Sequence, residues 1–408
     1  MKVLLFVHGW PPEAAGGTGL VVGALAEALA ARGHAVTVAH PGPPAETRWR
    51  GVRVVGVGIR RGLGWVAGWS AGVAEVEALL AAVAPEVVDI HHLSGWPLSL
   101  PSIARNHAAR VIVTLHDYAI PCARGQLVDH SGSPCSGPDV QRCTRCLAPF
   151  LGLRARALGW PTRKEHRTVQ RRLHLARQAL AAADRLLAPS RDLAQRIERM
   201  GAGPVQVCPL PATVDIRPAP PPPHGPVRLL FCSSLIPTKG PHLLVEAFAR
   251  LPAGRATLTL AGARPHFPAD PGFAARLKAR VSGLPGARLR GSVAHAQVPD
   301  LLHAHDVLVL PSVWRENSPL IVREACAAGL RTIVSDRGGA RELDPHARLV
   351  DTLGDGAVDR LLAALVAECH QGRGRRTPVR WPTAESCANW LTTSVYRPAP
   401  GPMGLRTD

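Results

Sequence analysis

The sequence has little lysine, few aromatic side chains and no long apolar run. Only four of its 48 basic residues are lysines, so part of the positive charge reflects the base composition of the coding DNA rather than a binding need. No apolar run approaches the roughly 18 residues that a membrane helix needs. The opening MKVLLFVHGWPPE has too short an apolar stretch for a signal peptide. We therefore expect a globular protein that stays in the cytoplasm.

The formal net charge is +18, which would normally suggest nucleic acid or an anionic membrane surface as a partner. Aromatic residues make up only 4% of the chain and are not interleaved with the basic ones, so bases would find no stacking platform. Specific nucleic-acid binding is therefore not expected. The densest basic stretch, from Arg154 to Arg172, has a helical pattern. It leaves two interpretations open, a solvated helix face and a peripheral contact with the inner face of the membrane.

With 408 residues, of which 46% are hydrophobic, the chain is long enough for two domains with large cores. Strand and helix patterns alternate in both halves, which predicts an α/β fold with two parallel, doubly wound sheets. A proline-rich stretch separates the halves and predicts an extended linker. The predicted organisation is a first domain at 1–208 with a cysteine-rich insertion at 119–150, a linker at 209–226, a second domain at 227–380, and a crossover helix with a mobile tail at 381–408.

In doubly wound domains ligands bind at the carboxyl ends of the strands. The most informative such end is the segment PSVWRENSPLIVREACAAG, in which Ser318 is predicted to cap a helix that begins at Pro319. Glu316 then lies just ahead of the helix and Glu324 in its second turn. A helix N-terminus suits a diphosphate, and carboxylates suit sugar hydroxyls. On spacing alone, surface charges explain the two glutamates equally well.

The pattern around the two glutamates resembles the signature of retaining GT-B glycosyltransferases of family 4. Glu316 and Glu324 are followed by Ala-x-Ala-Ala-Gly and by a strand that leads into Asp336-Arg337-Gly338-Gly339. The resemblance extends to Lys239-Gly240, to His116-Asp117, to the Gly16-Gly17 loop and to the late helix, and so covers nearly the whole chain. It implies the GT-B fold, in which two Rossmann-like domains face a cleft and a C-terminal helix crosses back to the first domain.

The resemblance also implies roles for individual residues in binding a nucleotide-diphosphate sugar, linked to UDP or GDP. Glu324 would bind the ribose, Glu316 the donor sugar, and Lys239 the leaving diphosphate. His116 would approach the donor sugar from the first domain. Ser318, Pro319 and Leu320 would present backbone groups to the donor. Gly16 and Gly17 would let the backbone approach the phosphate or the acceptor closely. No catalytic metal is implied, and sugars, lipid-linked carriers and small molecules are all open as acceptors.

The sequence departs from this family at Ser233-Ser234, where many relatives carry Gly-Arg. Ser234 supplies a hydroxyl but no charge, so compensation falls to Lys239, with Arg315 or Arg264 as candidate helpers. Two alternatives to a transferase stay open. A GT-B nucleotide-sugar epimerase would need an acid/base pair that the sequence does not reveal. A non-catalytic basic binding module would leave the two glutamates and Lys239 without a purpose.

Histidines and cysteines complete the candidate residues of the first half. Asp117 is interpreted as an orienting residue, and His91-His92 as lining of the acceptor cleft. Of the nine cysteines, five lie singly in apolar segments, where small buried side chains are expected. The other four form the pattern C-x12-C-x7-C-x2-C, and they are Cys122, Cys135, Cys143 and Cys146.

The segment that holds these four cysteines is rich in Gly, Ser, Pro and Asp, and it has too little apolar surface to order itself. Four thiolates around one metal ion would supply the missing stabilisation. A structural zinc site is the preferred interpretation, with an iron–sulfur cluster and unliganded or redox cysteines as the alternatives. The metal is expected to hold a lid or acceptor loop and to take no part in bond breaking.

Overall fold

The computed structural model describes residues 1–10, 16–59, 72–107, 110–130, 132–151, 163–218, 224–267 and 270–397. The chain divides into two units. The first comprises Met1–Leu127, Cys135–Thr213 and the chain from Pro382, and the second comprises Val128–Pro134 and Val214–Trp381. The change of unit after Thr213 falls within the proline-rich stretch. Residues 219–223 of that stretch, 152–162 of the basic stretch and the tail after 397 lie outside the described residues.

The first unit is built on one sheet of eight strands, in the order β3-β4-β2-β1-β5-β6-β7-β8. These strands are β1 Lys2–Phe6, β2 Ala35–His40, β3 Ala45–Trp49, β4 Val52–Gly56, β5 Val87–Ile90, β6 Arg110–Thr114, β7 Arg185–Ala188 and β8 Val205–Val207. Neighbouring strands are parallel except for β3 and β4, which form an antiparallel hairpin. The parallel, doubly wound sheet predicted for this half is confirmed.

Helices cover both faces of this sheet because β1 is apolar on both sides. Leu4 and Phe6 belong to one buried cluster, whereas Val3 and Leu5 belong to another on the opposite face. Such two-sided burial is typical of strands in parallel sheets. The helices, in chain order, are α1 Gly17–Ala31, α2 Val73–Val83, α3 Leu100–Asn106, α4 Val140–Leu151, α5 Arg163–Ala181 and α6 Arg191–Arg199.

Helix α5 contains the described part of the predicted basic stretch. Arg163, Lys164, Arg167 and Arg171 are exposed along it, whereas Val169 and Leu173 are buried. The helix is therefore amphipathic, with a basic outer face. Contact of that face with a membrane stays a prediction. Within the described residues, none of the helices is both long and apolar enough to cross a membrane.

The second unit contains a sheet of six parallel strands in the order β11-β10-β9-β12-β13-β14. The strands are β9 Val227–Cys232, β10 Ala256–Ala261, β11 Ala287–Gly291, β12 Val307–Leu310, β13 Arg331–Ser335 and β14 Arg348–Val350. Its helices are α7 Pro241–Ala249, α8 Phe273–Ser282, α9 Val298–His303, α10 Leu320–Ala327 and α11 Ala357–Gln371, with short 3₁₀ turns at Pro237–Lys239, His295–Gln297 and Gly339–Glu342. The second doubly wound sheet is likewise confirmed.

The last helix, α12 Ala384–Trp390, continues as a π-helical turn over Leu391–Val395 and belongs to the first unit, as predicted. The side chains of Ala388, Leu391 and Tyr396 are buried with the residues of β1 in that unit. The Tyr396 hydroxyl donates a 2.9 Å hydrogen bond to Oδ2 of Asp89, which is fully buried in β5. The segment from α12 to Tyr396 is thus part of the core of the first unit.

One local prediction about α10 is wrong. The helix begins at Leu320, and its N-cap is Pro319, whose extended backbone (ψ 118°) is not helical. Ser318 therefore lies one residue before the N-cap, and no side chain caps this helix. The Ser318-Pro319 pair had predicted that the helix starts at Pro319, one residue before its actual start. Glu324 nevertheless falls in the second turn, as expected.

Candidate active site

The second sheet has its topological switch point between β9 and β12, because the chain order runs outward in opposite directions from these two strands. The carboxyl ends of strands at such a point form the usual ligand site of a doubly wound sheet. The loop Ser233–Gly240 follows β9, and the segment 311–319 follows β12. Most of the predicted donor-site residues therefore meet at the carboxyl ends of the central strands, which is the edge of the sheet meant below.

Glu316 is the most tightly held side chain of this edge. It is 3% exposed, and its Oε1 accepts hydrogen bonds from Lys239 Nζ at 2.7 Å, Ser312 Oγ at 2.6 Å and Trp314 Nε1 at 2.9 Å. The Lys239 ammonium also lies over the Trp314 ring, 4.8 Å from its centroid. All three hydrogen bonds end on Oε1 of the carboxylate, and none of them involves Oε2. The geometry joins a fixed anion to the candidate phosphate-binding cation.

Two glycines make this pairing possible by allowing close backbone contacts. Gly338 has φ 69°, and a Cβ there would lie 2.1 Å from the carbonyl oxygen of Glu316. Gly240, just after Lys239, has φ 70°, and a Cβ there would lie 2.0 Å from the carbonyl oxygen of Pro311. Any other residue would push apart the segments that carry Glu316 and Lys239.

Glu324 makes a separate contact. Its Oε1 lies 2.8 Å from Nε2 of His295, which stands on the 3₁₀ turn before α9. Burial and the nearby Glu324 carboxylate raise the pKa of the Cys232 thiol to about 12, which places the end of β9 beside this glutamate. Glu324 thus lies at the same edge of the sheet as Glu316 but with a different partner.

The remaining predicted donor residues lie around the same carboxyl end of the sheet. Ser318, Pro319 and Leu320 are half-buried at the start of α10, and Ser234 is half-buried after β9. Ser233 is held by a 3.1 Å bond from its N–H to the carbonyl of Ala261. Of the candidate helpers for Lys239, Arg264 is exposed and Arg315 is half-buried one residue before Glu316.

The first sheet has its switch point between β1 and β5, and four imidazoles follow the strands around it. His91 Nδ1 and His116 Nε2 are 3.0 Å apart, and the rings of His8 and His92 have centroids 4.4 Å apart. Ser94 donates its N–H to His92 Nδ1 at 2.9 Å, so the hydrogen of His92 is on Nε2 and points to Asp117 Oδ2 at 3.0 Å.

Burial lowers the pKa of two imidazoles of this cluster, those of His116 and His91. It lowers the pKa of His116 well below the ordinary value, and the neighbouring His91, His92 and His8 lower it further. Burial likewise lowers the pKa of His91, against the opposing effect of Asp89. Burial alone would raise the pKa of Asp117, but the contacts with His92 and with the N–H of Ala119 lower it. At neutral pH His116 and His91 are therefore neutral imidazoles.

Gly16 and Gly17 lie at the start of α1, at the same end of the sheet. Gly16 is the N-cap of α1, and a Cβ on it would lie 3.7 Å from Nε2 of His8. The glycine loop therefore borders the imidazole cluster, although residues 11–15 lie outside the described part.

The four clustered cysteines, Cys122, Cys135, Cys143 and Cys146, are all half-buried, and none of them forms a disulfide. In the described residues, no group of three or more His, Cys, Asp or Glu side chains is already arranged to hold a metal ion. The cysteine pattern is therefore not a preformed metal centre, and the predicted zinc site stays a prediction.

Two residues of these sites escaped the sequence analysis. His8 was missed although it directly follows the first predicted strand, which was a usable signal. Asp89 was missed because it lies inside an apolar strand, where the sequence suggested only core. Its Oδ1 accepts from the Thr114 hydroxyl at 2.8 Å, and its Oδ2 lies 3.7 Å from His91 Nε2.

Comparison with known families matches both halves of the chain. Residues 16–213 match the model of a glycosyl transferase 4-like domain, and residues 226–367 match that of glycosyl transferases group 1. Among curated proteins, the putative glycosyltransferase YtcC of Bacillus subtilis (strain 168) is 32% identical over 126 residues. That match spans 29% of this chain and 30% of the length of the relative.

Solved structures with the same fold cover almost all of the chain at low identity. Sucrose-phosphate synthase from Thermosynechococcus elongatus aligns with a TM-score of 0.66 and 17% identity, over 96% of this chain and 94% of that one. Anabaena HepE in complex with UDP-glucose aligns with a TM-score of 0.61 and 16% identity over the same shares. Starch synthase IV from Arabidopsis thaliana, bound to ADP and acarbose, gives 0.54 and 15%, over 97% and 91%. The fold is that of the GT-B glycosyltransferases.

Proposed function

Because the chain combines a glycosyl transferase 4-like domain with a glycosyl transferases group 1 domain, we propose that it is a glycosyltransferase. It transfers a sugar from a nucleotide-diphosphate sugar to an acceptor and retains the anomeric configuration. The observation that carries the proposal is the Lys239–Glu316 pair at the switch point of the second sheet. The Lys239 ammonium suits a negatively charged diphosphate, and the Glu316 carboxylate can accept hydrogen bonds from the hydroxyl groups of a sugar.

The proposed donor site uses the two charges separately. Lys239 turns its ammonium to the leaving diphosphate, where negative charge grows as the glycosidic bond breaks. Glu316 accepts hydrogen bonds from sugar hydroxyls through Oε2, while Ser312 and Trp314 keep the carboxylate in place through Oε1. Lysine then supplies the charge compensation that a metal ion supplies in other transferases, so no catalytic metal is proposed.

The rest of the donor is proposed to lie along α10 and the loop after β9. Glu324 binds the ribose hydroxyls, with His295 fixing its orientation. Backbone groups of Ser318, Pro319 and Leu320 contact the phosphates or the sugar, and Ser234 gives a neutral hydroxyl. UDP- or GDP-linked sugars are the proposed donors. In support, two proteins of the same fold bind different nucleotides, UDP-glucose in HepE and ADP in starch synthase IV.

The first unit is proposed to serve the acceptor and the reacting sugar. A neutral imidazole can both donate and accept a hydrogen bond, which suits hydroxyl groups. His116 is the proposed contact to the donor sugar, and Gly16 and Gly17 allow close backbone approach. Nothing in the described residues favours a nucleotide-sugar epimerase or a non-catalytic binding module.

The test is mass-spectrometric detection of sugar transfer and donor hydrolysis with a panel of UDP-, GDP- and ADP-sugars. We expect turnover of one donor, and NMR of the first product should show the anomeric configuration of the donor. Thermal shift with UDP, GDP and ADP gives a readout independent of the acceptor, because a bound nucleotide raises the Tm. No nucleotide-dependent shift and no hydrolysis of any donor would overturn the proposal, and an inverted product would overturn retention.

A further inference from the structure

A buried arginine lies beside the cysteine cluster of the first unit. Arg172 of α5 is 2% exposed. Its Nη1 donates to the carbonyl of Ile120 at 2.9 Å and its Nη2 to that of Ala119 at 2.8 Å, but its buried Nε has no hydrogen-bond partner. A guanidinium stays charged in proteins, and a buried charge without a counter-ion is costly.

The groups that face this charge are thiols. Burial lowers the pKa of Arg172 to about 10, and the neighbouring Cys122 and Cys143 act in the opposite direction. Cys143 in turn has both Cys122 and Cys135 as charge neighbours. A neutral thiol offers a guanidinium little, whereas a thiolate is a counter-ion.

Backbone hydrogen bonds bring three separate segments to this point. Cys122 donates its N–H to the carbonyl of Tyr118 at 2.8 Å, in a turn that Arg172 holds through its two carbonyl contacts. Cys135 donates its N–H to the carbonyl of Leu127 at 2.7 Å, which closes the intervening loop. The side chains of Cys122 and Cys135 also pack against the same apolar cluster of the first unit.

The third segment is the start of α4. Arg142 there donates to the Ser136 hydroxyl at 2.6 Å and to the Gly137 carbonyl at 3.0 Å, which ties the helix to the residues after Cys135. The Cys143 side chain packs in a small apolar cluster with Ala123 and with residues of α5. Cys146 follows three residues later on the same face of the helix.

From this convergence we propose that Cys122, Cys135, Cys143 and Cys146 bind one structural zinc ion as thiolates, with Arg172 as its buried counter-charge. Zinc with four thiolates has a net charge of about −2 and a tetrahedral geometry. Each thiol releases its proton to solvent when it binds the metal. The thiols are not already grouped as ligands, so binding requires their side chains to rotate towards one another. The metal stabilises the segment between β6 and α5. It takes no part in the proposed transfer reaction.

The first test is the metal content of the unaltered protein, purified without chelator. Elemental analysis should find about one zinc ion per chain, in colourless protein. Exchange for cobalt(II) should give the intense near-ultraviolet and visible absorption of tetrahedral thiolate coordination. Iron with a brown colour would overturn zinc in favour of an iron–sulfur cluster. Less than about a tenth of an ion of any metal per chain, with four titratable thiols, would overturn the metal site altogether.

The second test uses variants with a matched control. Cys143→Ser should lose the zinc, whereas Cys208→Ser, at another half-buried cysteine of the same unit, should retain it. If Cys143→Ser does not fold, the cobalt spectrum of the unaltered protein still decides the proposal. Arg172→Met should release zinc to a competing chelator roughly tenfold more readily, within the range known for groups that support metal ligands. A role of Arg172 limited to holding the Cys122 turn would lower the Tm but leave zinc retention unchanged.

Discussion

The two units carry different kinds of side chain at the switch points of their sheets. In the second unit, the switch point carries an ion pair, Lys239 and Glu316, 2.7 Å apart and largely buried. In the first unit, it carries four imidazoles, and burial lowers the pKa of two of them, His116 and His91. A buried charge persists where a partner stabilises it, and like groups that crowd together lose theirs. Under the proposed function, the same architecture provides one site for anions and one for hydroxyl groups.

The largest expected effect comes from removing the charge of Glu316. Glu316→Gln keeps the shape of the side chain but weakens three hydrogen bonds and leaves Lys239 without its counter-ion. Losing a hydrogen bond to a charged group costs about 1.5–3 kcal/mol, which lowers kcat/KM roughly ten- to over a hundredfold. Steady-state kinetics measures the loss, with the donor sugar that the mass-spectrometric screen finds to be turned over.

The matched control is Glu246→Gln, which breaks an exposed pair with Arg280 in the same unit. We expect its kinetics to equal those of the unaltered protein, because exposed pairs contribute little. Activity of Glu316→Gln within twofold of the unaltered protein would show that the buried pair is structural only.

Lys239→Ala is expected to have the next largest effect, about a tenfold loss in kcat/KM. The Lys239 side chain is 17% exposed, against 4% for Glu316, so solvent screens its charge more. Ser234→Ala removes no charge and should cost less than Lys239→Ala. Restoring the arginine that many family members carry, with Ser234→Arg, should tighten the binding of the nucleoside diphosphate. Calorimetry that shows weaker binding would mean that Ser234 belongs to a differently shaped site.

The smallest effect tests the neutral cluster of the first unit. The pKa of His116 is lower in the folded protein than in the unfolded chain, so below about pH 6.5 the unfolded chain binds more protons. Stability therefore falls as the pH drops from 7.5 to 5.5. His116→Gln removes one such group and should lower this pH-dependent loss by about 1 kcal/mol. Urea denaturation at the two pH values measures it.

His166→Gln, at an exposed histidine of α5, is the control for this measurement and should keep the full pH-dependent loss. An unchanged loss in His116→Gln as well would mean that His116 is protonated in the folded protein. The imidazole cluster would then carry charge, and the contrast between the two units would disappear.

The sequence predicted the two doubly wound sheets because their central strands are short apolar runs bounded by glycine, proline or polar residues. It did not predict the β3–β4 hairpin. The β3 residues Ala45–Trp49 are mostly exposed and polar, since β3 is the edge strand of its sheet. An edge strand need not be apolar on both faces, so the pattern that revealed the inner strands was lacking.

The candidate residues could be placed at strand ends from the sequence, but their partners could not. Lys239 and Glu316 are 77 residues apart, and Glu324 and His295 are 29 apart, so tertiary packing alone brings them together. Asp117 was expected to orient a neighbour, and the structure places its Oδ2 3.0 Å from His92 Nε2, while the orienting role stays a prediction. The sequence held no signal for this choice, because it depends on the register of β5 and β6.

The hydrogen bond from Tyr396 to Asp89 spans 307 residues of the chain. A ribosome makes residues 1–213 first, but Leu391, Val395 and Tyr396, which complete one face of their core, are among the last to be synthesised. The second unit, which ends at Trp381, has its whole core available before that. The usual order of synthesis, in which the N-terminal domain folds first, is therefore reversed for the final packing step. During translation the first unit therefore keeps an apolar face uncovered until Leu391, Val395 and Tyr396 have been synthesised.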